Sequence, residues 1–162
     1  MADNKTASQY AAQRSNEFYK KIIRKDEDFR GEAYKLPNEK HFTIGYGFYD
    51  PSIKETDTIT KPQAEKRLDL EVKQRLKSIN KLIDNFDQYP AYLRGPVFSE
   101  HYRGSIQQSP QTRKLMNEGK FSEAADEFLD NDQYRNADKL KIPGIKARME
   151  RVSDALKKYG KQ

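Results

Sequence analysis

The chain has 162 residues and no cysteine, which excludes a disulfide framework and a thiolate metal site. It holds only two histidines, His41 and His101. Neither lies in an HExxH pattern or a Cys/His cluster, so no structural or catalytic metal is expected. No Gly-x-Ser-x-Gly occurs, and a nucleophilic triad has no anchor. The glycines of TIGYGF, residues 43–48, fit neither phosphate-loop pattern and are expected to serve tight turns after a strand. No cofactor is expected. No stretch reaches the about 20 apolar residues of a membrane span. The opening MADNKTASQYAAQRSNEF has no apolar run of signal-peptide length. Action outside the producing cell would therefore need a separate carrier. Internal repeats and low-complexity tracts are also missing.

What is present describes a folded domain. Charged and hydrophobic residues each make up 35%, yet eight Phe and ten Tyr recur at regular spacings with Leu and Ile. That argues against global disorder, and the length suits one domain with a real core. Thirty-one basic residues against 25 acidic give a net charge of +6, which favours polyanionic surroundings. The basic residues alternate with acids, as in EKRLDLEVKQRLK, and read as a solvated helix face. Nucleic-acid binding would rest on charge alone and is not expected.

Residues 1–14 are polar and are expected to be loose, ahead of a single domain over 15–162. Ser15 or Asn16 is placed to cap a first helix ending near Asp26, with Phe18, Ile22 and Ile23 inward. Glu27 falls at or just past its end. A β lobe is expected over about 27–60, where Phe42-Thr43-Ile44 alternates between Pro37, Gly45, Gly47 and Pro51. Thr60-Lys-Pro-Gln63 reads as a capping box with proline in the first turn. Behind it Leu68, Val72, Leu76, Ile79 and Ile83 mark an amphipathic connecting helix over about 61–84. A helical lobe over about 85–160 follows, with helices starting at Pro90, Ser109-Pro110 and Ser122. DNDQYRNADKLKIPG is read as a loop. A last helix carries Ile145, Met149, Val152, Leu156 and Tyr159. The fold class is α+β, with a small sheet lobe and a larger helical lobe. Such a layout places ligands between lobes.

With metals, triads and phosphate loops set aside, carboxylates remain as the candidate chemistry. Glycoside hydrolysis needs an acid that protonates the leaving oxygen and a second group that activates water or attacks the sugar. The acid must keep its proton near neutral pH, which calls for a partly dry setting. Taken by itself, Glu27 in KDED is an ordinary surface acid.

The run from Glu27 through Ala33-Tyr34 to Thr43-Ile44-Gly45-Tyr46-Gly47 resembles the signature of phage-type lysozymes, the family 24 glycoside hydrolases used as endolysins. Later segments follow in the family's order: Ile59-Thr60 with Gln63-Ala64-Glu65, Leu115 to Phe121, Ala124-Ala125-Asp126-Glu127-Phe128, and Gly144 to Glu150. The resemblance covers roughly residues 15–160. It implies a lysozyme-like fold and a muramidase that cuts the β-1,4 bond between N-acetylmuramic acid and N-acetylglucosamine in bacterial peptidoglycan. It implies that Glu27 is the general acid, that Thr43 holds the attacking water and that Arg148 approaches the acid. Tyr46, Tyr102 and Arg103 are expected to contact substrate or support the site. The protein is expected to be a monomer that does not insert into membranes. It would reach the wall from the host cytoplasm through a separate holin, or be carried in a virion.

Three departures stand out. The family places Asp or Cys between the glutamate and the threonine. Counting forward from Glu27 lands on Leu36, and counting back from Thr43 lands on Pro37. The second acidic group is thus missing from its usual place, and the interval is one residue longer. A subset of the family shows a similar Pro-x-Glu-Lys-His-aromatic-Thr-Ile-Gly-Tyr-Gly stretch, here Pro37 to Gly47. Glu39 is the best substitute base, with His41 second. Phe48 stands where the family has His, and Glu100 to Gly104 replaces a Tyr-Asn-x-Gly segment. The missing acid also supports an alternative: a weakened lysozyme fold that serves as a peptidoglycan-binding or virion structural module.

Overall fold

The computed structural model describes residues 6–162. Two compact units divide it, one up to Gln74 and one from Arg75 to Gln162.

The first unit opens with helix α1, Ala7–Asp26. The expected start near Ser15 is corrected: Thr6 caps the helix, accepting from Gln9 N, while the Gln9 side chain returns a bond to Thr6 N at 2.7 Å. This capping box supplies partners for amides that otherwise lack them. Of the expected loose segment, residues 7–14 are therefore helical, and 1–5 lie outside the described residues. The buried positions of α1 are Tyr19 and Ile23. Glu27 is the C-cap, its amide bonded to Ile23 O at 2.8 Å.

A three-stranded antiparallel sheet follows in the order β1 (Arg30–Tyr34), β2 (Thr43–Gly45), β3 (Phe48–Tyr49). Tyr34 pairs with Thr43, Thr43 with Tyr49, and Ile44 with Phe48. Because cross-strand partners share a face, Tyr34, Thr43 and Tyr49 form one row. Ile44 and Phe48 fill the opposite, buried face. The two glycines between β2 and β3 are structural. Gly45 has φ +68°, and a β-carbon there would meet the Phe48 ring at 2.6 Å.

Helix α2, Lys61–Leu82, begins as the sequence indicates: Thr60 and Gln63 exchange bonds of 2.9 and 3.3 Å. Ala64, Leu68 and Val72 are fully buried. The boundary between the two units falls within this helix.

The second unit is helical: α3 (Ala91–Arg103), α4 (Pro110–Asn117), α5 (Phe121–Leu129), α6 (Asp132–Arg135) and α7 (Pro143–Gly160). Helix α7 packs against α5 and α3, and Met149, Val152 and Leu156 of α7, Phe128 of α5 and Val97 and Phe98 of α3 are all buried. The expected loop from Asp130 contains the short α6, which Asn131 caps by accepting from Tyr134 N at 2.9 Å.

His101 is fully buried on α3. Its ring nitrogens have no partner of normal geometry. Burial, with the Arg75 and Arg113 cations nearby, pushes its pKa down to about 4; the Arg75 backbone and the Gln107 side chain offset part of this. The unfolded chain takes up a proton near pH ~6.5 that the folded chain refuses until about pH 4. Stability is therefore complete above that window, declines as pH falls through it, and loses up to about 3 kcal/mol from this group. Urea denaturation at pH 7 and pH 4.5 should show the decline, and His101→Asn should flatten it. An equal slope in both proteins would refute the assignment.

Candidate active site

The site grows from where α1 stops. Helix α1 ends at Asp26, and Glu27 caps it with φ −115° and ψ 25°. Its side chain turns toward the β2–β3 turn. A β-carbon built on Gly47 would stand 2.7 Å from Glu27 Oε2 and 3.0 Å from its carboxyl carbon. Gly47 also has φ +70°, a backbone state that glycine adopts freely. The turn glycine thus does two things: it allows the reversal, and it leaves the space that the carboxyl group occupies. Glu27 is partly buried there.

Three elements hold this arrangement. Arg24, one turn before Glu27 on α1, makes a forked pair with Glu65 of α2, at 2.9 Å from Nε and 2.7 Å from Nη2. The Tyr46 hydroxyl, next to Gly47, donates to the same carboxylate at 2.8 Å. The Arg24 bonds hold Glu65 below the usual carboxylate range, with burial opposing and Tyr46 assisting. Tyr46 is 2% exposed.

Thr43 opens β2 and is buried at 6% exposure between Tyr34 and Tyr49. The Arg30 guanidinium lies 4.0 Å from the Tyr34 ring centroid. Burial pushes the Tyr34 hydroxyl up; Arg30 opposes this, and Glu27 and Glu39 add to it. Tyr34 therefore feels both carboxylates. Its importance was hidden in the sequence, because only the strand register shows that it opposes Thr43.

Leu36 and Pro37 fall in the hairpin tip, not in the strand, and both are exposed. Residues 36–39 form a turn, with Glu39 N bonded to Leu36 O at 3.0 Å. Proline at its second position suits this turn. The Glu39 carboxylate accepts from Leu36 N at 3.3 Å, so it caps the tip. His41 is partly buried and stacks on Tyr49, with centroids 5.3 Å apart.

The remaining candidates lie in the helical unit. Arg148 donates to Ser99 O and Oγ at 3.0 and 2.9 Å, and its Nε is 3.3 Å from Glu100 Oε1. Arg103 bonds both Glu100 oxygens, at 3.1 and 2.6 Å, and Gln133 at 3.1 Å. Ser105 Oγ adds a 2.6 Å bond to the same group. Tyr102 is 6% exposed, under Arg75 at 5.4 Å. Arg103 and Arg148 thus converge on a fully buried glutamate that the sequence did not single out. No spacing rule would have paired Arg148 with Ser99, 49 positions away. Among the described residues, no group of three or more His, Asp or Glu side chains could hold a metal ion, and no helix is long and apolar enough to cross a membrane.

The family profile described as Phage lysozyme matches residues 24–151. An endolysin of Bacillus phage B103 is 31% identical over 112 residues, covering 67% of this chain and 41% of the relative. An endolysin of Bacillus phage PZA is 32% identical over 111 residues, covering 66% and 42%. The chain thus spans less than half the length of these relatives. The muramidase domain of SpmX from Asticaccaulis excentricus superimposes with a TM-score of 0.60 at 20% identity, covering 88% of this chain and 95% of that domain. That likeness shows a lysozyme-like α+β fold. With the family profile spanning Glu27, the hairpin and most of the helical unit, the chain belongs to the phage lysozyme family.

Proposed function

We propose that the protein is a muramidase that hydrolyses the β-1,4 bond between N-acetylmuramic acid and N-acetylglucosamine in bacterial peptidoglycan. The observation that carries this reading is the Glu27 carboxyl packed on Gly47 of the β2–β3 turn, which follows the strand that Thr43 opens. In this reading Glu27 protonates the leaving glycosidic oxygen, and the Thr43 hydroxyl holds the attacking water. Glu39, on the same hairpin, accepts the water's proton in place of the displaced second acid, with His41 as the alternative. An inverting reaction places the two carboxyl groups roughly 6.5–9.5 Å apart, with water between them. The charge of +6 would concentrate the enzyme on a polyanionic envelope. The biological setting is phage-induced lysis through a separate holin, or entry from a virion. The endolysin relatives favour the first.

Three substitutions test the assignment. Glu27→Gln is expected to abolish clearing in a peptidoglycan zymogram; full clearing would refute the acid. Glu39→Gln keeps the oxygen that caps Leu36 and removes the charge. It is expected to lower kcat at least ~100-fold, the low end for general-base loss. A near-normal rate would move the role to His41 or to Thr43 and water alone. Gly47→Ala drives a methyl group into the Glu27 carboxyl. It is expected to cut the rate about tenfold or more at a temperature where the variant is still folded, through misplacement of the acid; wild-type turnover would show that the contact is not needed.

A further inference from the structure

Tyr34 takes no part in the chemistry assigned above, yet it stands close to two groups that do. It is the cross-strand partner of Thr43. Partners in an antiparallel pair carry their β-carbons about 4.5–5.5 Å apart on one face, so the phenol rises beside the threonine. Two residues further along the chain, Leu36 N donates to the Glu39 carboxylate at 3.3 Å, which ties that group to the hairpin tip. Two residues of chain span at most roughly 7 Å, so Tyr34 has Thr43 as one neighbour and the Glu39 carboxylate as another. A proton passes directly only across about 2.6–3.2 Å, and a longer gap needs an intervening group. The Tyr34 ring is partly buried and lies under the Arg30 guanidinium at 4.0 Å, a contact that holds it in place. Burial keeps the phenol protonated, Arg30 opposes this, and Glu27 and Glu39 reinforce it.

We propose that Tyr34 is a catalytic residue of the same reaction, its hydroxyl relaying a proton from the attacking water at Thr43 to the Glu39 carboxylate. As the water oxygen bonds to the anomeric carbon, one water proton passes to the phenol oxygen while the phenol's own proton passes to Glu39. The leaving glycosidic oxygen takes the proton of Glu27 as its bond to that carbon breaks. Tyr34 ends as it began, Glu39 ends protonated and Glu27 ends ionised, so protons and charge balance. A phenol suits the task because one hydroxyl both accepts and donates. The relay lets an acid fastened at the hairpin tip serve a water held at the strand, in a chain with Leu36 and Pro37 where the second acid is expected. The inference rests on the muramidase reading with Glu39 as its base, and it adds the group that connects that base to the water.

The test begins with the unaltered protein on a peptidoglycan zymogram. No clearing there overturns the muramidase reading and the relay together; once clearing is seen, the variants bear on the relay alone. Tyr34→Phe keeps the ring under Arg30 and removes the hydroxyl. It should lower kcat at least ~100-fold with KM unchanged, as loss of a proton-transfer group does. Because Tyr34 and Glu39 share one path, a chain carrying both Tyr34→Phe and Glu39→Gln should be no slower than the slower single variant. A wild-type rate for Tyr34→Phe, a wild-type rate for Glu39→Gln, or losses that multiply in the double variant would each overturn the relay. If Tyr34→Phe does not fold, the ring resonances of Tyr34 decide. They should move as Glu39 titrates, and Glu39→Gln should remove that movement. A Tyr34 titration that is the same in both proteins overturns the relay.

Discussion

The sheet unit depends on the grip of one carboxylate on two partners. Glu65 accepts a forked bond from Arg24 and a hydroxyl bond from Tyr46. These three residues come from α2, α1 and the β2–β3 turn. Each is adjacent to something that matters more than itself: Arg24 lies one turn before Glu27, and Tyr46 precedes Gly47. With Arg24 and Glu65 about one-third exposed, the ion pair itself contributes modestly to stability. Its value is geometric. A planar guanidinium meeting a carboxylate in two places fixes direction as well as distance. The end of a helix and the tip of a hairpin are thereby set against each other with little freedom to slide.

The helical unit also centres on a carboxylate held by arginine, here one removed from solvent. Glu100 is fully buried, and Arg103, Arg148 and Ser105 surround it. A buried charge without such partners would be very costly. Removing either arginine would leave this buried carboxylate with a single cationic partner, and the defect would extend beyond the lost contact. The bonds of the two arginines tie α3 to α7 and α6.

Much of the fold was legible because the chain uses strong local signals. The capping box at Thr60 and the spaced aliphatics behind it gave α2 within two residues at its far end. The N-terminal half of α1 was missed although Thr6 and Gln9 repeat that same capping pattern. Residues 7–14 are all exposed, so no apolar stripe accompanied the signal. Helix α6 was too short for any periodicity to show. At the site, the order of Glu27, Thr43 and the glycines was readable through resemblance, but the contact between Glu27 and Gly47 was not. Nor was the meaning of Leu36 and Pro37. The structure places them in a turn over 36–39, between the paired residues Tyr34 and Thr43, while the register shift of this strand pair lies between Arg30 and Tyr34.

The two glycines of the hairpin look alike in sequence and answer to different masters. At Gly45 the obstacle is a neighbouring aromatic ring, which belongs to the packing of the sheet. At Gly47 it is the acid itself. Asparagine tolerates this backbone conformation elsewhere in proteins, so the turn alone would accept substitutes. What a side chain there would meet is the Glu27 carboxyl group, which would have to move aside. The two positions are therefore bound to a shared evolutionary fate: in descendants of this chain, a side chain appearing at 47 would be the mark of a lineage whose acid has already withdrawn.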